Sequence, residues 1–264
     1  MAEKRRTVGD MRALKGKAQL TMLFVETEAE ARAAAAAGID ILSIIAPLWT
    51  PAMRLAAGQC FVQVGLLYGE LCTYEDYLRA AHAAVRIGGD CCYCAASIDT
   101  IAKLAAEGIP VVGHVGLIPS KATWTGGFKA VGKTAETAIL VWNQVQALEQ
   151  AGAFGAELEV VPDRVAAEIS RRTSLLMFSM GAGTGGDAQY LFTEDVLGFT
   201  RGHRPRHAKV YRNFQSEYDR LQAERIAAFR EFKADVASGA YPAPEHLVAV
   251  DDAEFAAFLA RLPS

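Results

Sequence analysis

Short apolar runs rich in β-branched residues alternate along this chain with longer stretches of helical character, and that alternation limits the folds open to it. The runs are Leu20–Val25, Ile39–Ile45, Cys60–Leu66, Cys91–Cys94, Ile109–Val112, Ala156–Val161, Leu175–Ser179 and Val196–Phe199. Helical patterns fill the intervals at Glu28–Ala37, Tyr74–Ile87, Ile98–Glu107, Thr134–Ala151 and Asp163–Arg172, with weaker ones at Pro51–Ala57 and Asp187–Tyr190. Apolar runs this short suit strands buried on both faces, and helices between them suit parallel crossovers. Ala37-Gly38, Glu107-Gly108 and Ala151-Gly152 read as helix C-caps before the next strand. Eight such units predict an α/β fold closed as a (β/α)8 TIM barrel, with a doubly wound open sheet as the alternative. An N-terminal helical arm near Val8–Leu14 precedes the barrel, which is expected over about residues 18–213. A C-terminal helical extension over 214–264 follows, as Phe214–Ala237 and Asp252–Leu262, and no linker divides the chain, so a single domain over 1–264 is expected.

At 264 residues, 52% hydrophobic and 22% charged, the chain can bury a sizeable core. A net charge of −3 gives no electrostatic reason to expect nucleic acid as a partner. No apolar run approaches the ~20 residues of a membrane span. The basic N-terminal run MAEKRRTVGDMRALKGK lacks the apolar core of a signal peptide. Five cysteines, three of them in Cys91-Cys92-Tyr93-Cys94, do not form a secreted disulfide framework. A cytoplasmic protein is expected.

In a barrel, chemistry belongs at the C-terminal ends of the strands. That rule selects Glu26, Ala46, Gly65, Ala95, His114, Glu159 and Gly181–Gly183. The segment from Ile109 to Thr134 stands out: a strand ends in Gly113-His114-Val115-Gly116, and a long polar loop follows with Lys121, Trp124, Gly126-Gly127 and Lys129. Thr134 then caps a helix, with Glu136 and Thr137 in its first turn. Loops of this length in compact domains tend to be lids or binding loops. Glu159, inside the apolar Leu158–Pro162 run, either pairs with a cation or faces the mouth as an acid or base. His114 is either a packed histidine bonded to backbone or a donor to a carbonyl or enolate oxygen.

Alternation along a strand puts Cys92 and Cys94 on one face and Cys91 and Tyr93 on the other. That spacing suits small core residues better than a metal site. Glu26 and Glu70 are acids near strand ends that either hold a cation or a cationic substrate group, or are solvated. The Gly181-Ala182-Gly183-Thr184-Gly185-Gly186 turn either cradles an anion with backbone amides or packs closely. Arg201, Arg204, Arg206 and Lys209 form a basic run that meets an anion, an adjacent subunit or solvent.

Five blocks in one register, GHVGLIPS at 113–120, GGFKAVGKT at 126–134, ALEQAGAFGAELEVVP at 147–162, GAGTGGDAQYLFTEDVLGF at 181–199 and GHRPRHAKVYRNF at 202–214, carry a family resemblance. From about Thr7 to His246 the chain resembles ketopantoate (3-methyl-2-oxobutanoate) hydroxymethyltransferases, barrels of the phosphoenolpyruvate mutase/isocitrate lyase superfamily. The resemblance implies hydroxymethyl transfer from 5,10-methylenetetrahydrofolate to a small α-keto acid, with Mg2+ polarising the keto acid, in a homo-oligomer that is commonly a decamer. It places Glu159 on the general base and His114 on a strand-end histidine. Gly181 and Gly183 then belong to the pocket wall; apart from the resemblance, Lys121 of the long loop and Glu26 at its strand end are further candidates to bind substrate.

The metal ligands do not carry over. Ile45-Ala46-Pro47 stands where the family has Gly-Asp-Ser, Gly65 where it has an aspartate, and Tyr93-Cys94-Ala95 where it has Lys-x-Glu. Glu26-Thr27 replaces a Tyr-Asp pair. A hard divalent cation needs oxygen ligands, so a remodelled, Mg2+-independent site is expected, with Tyr93 as an uncharged donor in place of the lysine. The functions open to such a chain are the family transfer, a different C–C lyase or transferase reaction on the same scaffold, and a non-catalytic homologue.

Overall fold

A computed structural model of the chain describes residues 5–263, so Met1–Lys4 of the basic N-terminal run lie outside the described residues. It comprises two compact units that meet in sequence between Arg212 and Asn213. In chain order the first unit holds α1 (Val8–Ala13), β1 (Leu20–Phe24), α2 (Glu28–Ala36), β2 (Ile41–Ile45), α3 (Pro51–Ala56), β3 (Phe61–Gly65), α4 (Tyr74–Ile87), β4 (Cys91–Tyr93) and α5 (Ile98–Ala106). It continues with β5 (Val111–Gly116), α6 (Ala122–Thr125), α7 (Ala135–Gln150), β6 (Gly155–Glu159), α8 (Asp163–Arg172), β7 (Leu176–Met180), β8 (Ala188–Phe192) and α9 (Thr193–Leu197). The second unit holds α10 (Phe214–Ser238) and α11 (Asp252–Leu259), with Tyr241 packed on Phe232 and His246 between them.

The eight strands close in sequence order into a parallel barrel, β8 pairing back onto β1. Strand alternation sorts the apolar side chains into two layers. Leu42, Ile44, Val62, Val64, Cys92, Val111, Ala156, Leu158 and Met177 face the helices. Met22, Ile41, Phe61, Cys91, Val112, Leu176 and Phe178 fill the interior, where Met11 of α1 joins them. The arm is fixed to the N-terminal rim by charge. Arg6 pairs with Asp40 at 2.6 Å, Arg5 with Asp90 at 3.0 Å and Lys15 with Asp187 at 2.9 Å, each aspartate standing immediately before a strand. No described helix is long and apolar enough to cross a membrane.

The last strand corrects the sequence reading. Val196–Phe199 was the expected eighth strand, and Asp187–Tyr190 a weak helix. Instead Ala188–Phe192 is β8, while Val196 and Leu197 close α9 before Gly198 at φ 77°. Two forces decide it. Ala188 and Tyr190 enter the interior with period two, and the Asp187 carboxylate accepts the Met177 and Gly16 amide N–H groups at 2.8 and 3.0 Å, fixing the segment against β7. Strand β5 also runs later than Ile109–Val112, through His114 to Gly116. The long loop after it contains a 3-10 turn at Pro119–Lys121 and the single turn of α6, and Thr134 caps α7 in a reciprocal box with Thr137.

Candidate active site

Parallel register sets His114 of β5 beside Glu157 of β6, and Gly116 beside Glu159. Period two then turns His114, Glu157 and Glu159 into the barrel. On β4, Tyr93 lies in register with Gly65 and Val112 and faces the same space. His114 is the hub. Its Nε2 lies 2.8 Å from the Leu117 carbonyl oxygen and 3.1 Å from Glu159 Oε2. Its Nδ1 lies 2.8 Å from the Tyr93 hydroxyl and 3.5 Å from Glu157 Oε2. Because the Leu117 carbonyl can only accept, Nε2 carries a proton.

Burial opposes a charged imidazole here. The Glu159 hydrogen bond and the charges of Glu157 and Glu159 outweigh it, and the His114 pKa rises. Burial also pushes the Glu157 carboxyl up to about 7, against the opposing pull of His114 and a 2.7 Å hydrogen bond from Gln63 Nε2. Gln63 also reaches Ser43 Oγ at 3.2 Å, and Ser43 shares a hydrogen bond with Tyr190. Burial raises the pKa of both Tyr93 and Tyr190, so each is a neutral phenol.

Ser43, Tyr93, His114, Glu157, Glu159 and Tyr190 line a cavity of about 590 Å3 at the C-terminal mouth, with Gln63 buried behind them. Phe24, Ile45, Met180 and Phe192 make its apolar walls; Phe128 and Pro119 from the loop after β5, and Asp195, His203 and His207 from beyond β8, border it. Asp195 is buried and accepts from Thr200 Oγ1 at 2.6 Å. Burial lowers the His207 pKa, so its imidazole is neutral. A larger groove of about 1410 Å3 lies outside the barrel beside Trp142 and Arg172. It lacks the convergent buried titratable groups of the mouth, which is therefore the better site.

Of the residues selected from sequence, Gly65, Tyr93, His114 and Glu159 come together in the cavity. Glu26 and Glu70 are exposed and lie outside its lining, with the Glu26 amide donating to Glu30. Lys121 is exposed and borders a neighbouring cleft with Ala95 and Gln144. Gly181 enters the site indirectly: its φ is 69° and a Cβ there would stand 2.5 Å from His207 Nδ1, so the glycine admits that imidazole. Gly183 admits Asp163 in the same way and accepts from Ser179 and Gln189. Glu157, Gln63, Ser43, Tyr190, Asp195 and His207 were not singled out. Two of them were within reach, since Glu157 and Gln63 each stand two residues before a selected strand-end position, Glu159 and Gly65.

Glu159 is held from behind. Val160 has φ 48°, a rare conformation for a β-branched residue. Its backbone is pinned by hydrogen bonds to the Met180 carbonyl at 2.9 Å and from the Val131 amide at 3.1 Å.

At the positions where family resemblance implies metal-holding carboxylates, Ala46, Gly65 and Ala95 offer no side-chain donor. Among the described residues, no group of three or more His, Cys, Asp or Glu side chains is disposed to hold a metal ion. The donor set of the mouth, Glu157 and Glu159 engaged with one imidazole and Asp195 engaged with Thr200, does not fit an oxygen-ligated divalent cation.

Solved structures with the same fold include a 2,3-dimethylmalate lyase of the phosphoenolpyruvate mutase/isocitrate lyase superfamily, with a TM-score of 0.53 at 13% identity over 97% of this chain and 99% of that one. Another is the phosphoenolpyruvate phosphomutase of Streptomyces platensis subsp. rosaceus, with a TM-score of 0.52 at 14% identity over 95% and 94%. In sequence, the 3-methyl-2-oxobutanoate hydroxymethyltransferase of Thermus thermophilus is 33% identical, covering 92% of this chain and 99% of its own length. The enzyme of that name from Cenarchaeum symbiosum is 35% identical over 188 residues, 70% of this chain and 69% of its own. Residues 57–244 match the family profile described as ketopantoate hydroxymethyltransferase. With that match over more than half its length, the chain belongs to the ketopantoate hydroxymethyltransferase family.

Proposed function

We propose that this protein carries out aldol-type hydroxymethyl transfer to a small α-keto acid, with proton chemistry run by its own side chains and not by a carboxylate-held Mg2+ ion. The observation that supports this most is the placement of His114 between Glu159 and Tyr93 at the mouth of a barrel of this family. Glu159 removes the proton from the carbon next to the keto group. Tyr93 donates to the oxygen on which enolate charge develops. With Nε2 committed to Leu117 and Glu159, the His114 imidazolium donates through Nδ1–H to the Tyr93 oxygen, which frees the phenol hydrogen for substrate. Donors aimed at developing charge in a water-poor site are worth most where the dielectric is low. Apolar walls from Phe24, Ile45 and Met180 supply that surrounding.

5,10-Methylenetetrahydrofolate, when bound, supplies the hydroxymethyl carbon. Phe128, 74% exposed and at the cavity rim, is the side chain placed to stack on a flat ring of that kind. The test requires no donor: proton NMR follows exchange of the C3 hydrogen, on the carbon next to the keto group, of pyruvate, 2-oxobutanoate and 3-methyl-2-oxobutanoate for solvent deuterium. Glu159→Gln should lower exchange by about 10²- to 10⁴-fold; an unchanged rate removes Glu159 as the base. A different C–C bond reaction on the same barrel is the second reading, favoured by the polar layer under His114.

A further inference from the structure

Beneath the His114–Glu159 pair the barrel is polar where barrels are ordinarily apolar. Inward positions of a (β/α)8 barrel are filled mainly by branched aliphatic side chains. Here Ser43 of β2, Gln63 of β3, Glu157 of β6 and Tyr190 of β8 are all buried and form one hydrogen-bonded set. Burying such groups costs free energy unless they find partners. One has not: Gln63 Oε1 is a buried acceptor that no described group satisfies.

The charge balance points the same way. The cavity lining carries Glu157, Glu159 and Asp195, while its titratable bases are His114, His203 and His207. His207 is neutral through burial, and no lysine or arginine is among the described lining residues. Ser43, Glu157 and Tyr190 all reach the cavity surface. The mouth therefore offers a surplus of acceptors, and the fold supplies too few donors to fill them.

We propose that the Ser43–Gln63–Glu157–Tyr190 layer is a subsite for a protonated amine, so that this barrel selects a small carboxylic substrate bearing an ammonium group over one with a branched aliphatic tail. The ammonium donates to the Glu157 carboxylate and to the Ser43 and Tyr190 oxygens, and the substrate adds positive charge beside three carboxylates that the His114 imidazolium alone does not balance. The subsite deepens the keto-acid reading but does not depend on turnover.

Calorimetric titration of the full-length protein with 4-aminobutanoate and pentanoate tests it, because the two differ by an ammonium in place of a methyl. 4-Aminobutanoate is expected to bind about tenfold tighter or more, the range of a buried charge-assisted hydrogen bond. Glu157→Gln should remove most of that preference, and Ser43→Ala should reduce it. Equal or tighter binding of pentanoate, or no binding of 4-aminobutanoate, overturns the proposal whether or not either variant folds. Absence of C3-hydrogen exchange with retained ammonium preference would reject the reaction and keep the subsite. Exchange with 3-methyl-2-oxobutanoate and no ammonium preference would do the reverse.

Discussion

The Tyr93 hydroxyl lies 2.8 Å from Nδ1 of His114, whose other ring nitrogen is already committed to the Leu117 carbonyl and the Glu159 carboxylate. The imidazole thus has no spare N–H for a substrate oxygen, and the phenol is its route into the cavity. Tyr93→Phe should lower kcat by about 10²- to 10³-fold, the loss seen when one donor to developing charge is removed, with little change in KM. His114→Gln should do the same. The double variant should be no worse than either single one, since the two side chains act as one unit; additive losses in steady-state kinetics would separate their roles.

Glu157 ties stability to pH. Its carboxyl has an ordinary pKa of 4.5 and sits at about 7 in the fold, so the folded state holds the proton more tightly than the unfolded chain. That stabilisation is complete below pH 4.5 and is lost as pH rises toward 7, on the order of 3 kcal/mol across the window. The raised His114 pKa acts in the same direction above its ordinary 6.5. Denaturant melts of wild type and Glu157→Gln at pH 5 and pH 7.5 should show a steeper alkaline loss in the wild type; parallel curves would contradict it.

Val160 at φ 48° stores local strain behind Glu159. Relief of such strain is worth ~1–3 kcal/mol, and a glycine adds ~0.5–1 kcal/mol of unfolded-state entropy. Val160→Gly should therefore keep its unfolding free energy within about 1–2 kcal/mol of wild type. Its kcat should fall, because the carboxylate is no longer held in one orientation. Full activity in the variant would show that the strain plays no part in catalysis.

Gly116 allows β5 and β6 to close beside the site. Its φ is 86°, and a Cβ there would stand 2.4 Å from the Glu159 carbonyl oxygen. Gly116→Ala should destabilise the fold by ~2 kcal/mol or more and depress turnover beyond what stability explains. Thermal melts paired with C3-hydrogen exchange at low temperature check both.

Much of this was legible in the sequence because the strands are short, apolar and separated by helices that carry their own caps. Seven of the eight strands were expected at or next to where they lie. The eighth was missed because Asp187–Tyr190 read as a weak helix while Val196–Phe199 offered a competing apolar run, and Ala188–Phe192 becomes a strand through its place between β7 and β1. His114 and Glu159 could be found because strand ends in a barrel point to the mouth, and Tyr93 because the family resemblance sets it where a lysine stands. Glu157 and Gln63 were readable by stepping back two residues from Glu159 and Gly65, a consequence of alternation that attention to strand ends alone overlooks; Ser43 was not, because the position selected on its strand was Ala46, one place past Ile45. Tyr190 was out of reach once β8 was misplaced. His207 has no local signal at all, since only the fold brings it against Gly181.

The most direct measurement is solvent deuterium exchange at C3 of the keto acids, next to the keto group, in excess EDTA. With Glu159, His114 and Tyr93 doing the proton chemistry, the rate should be the same with EDTA as with added Mg2+. Exchange abolished by EDTA and restored by Mg2+ would contradict a metal-independent site.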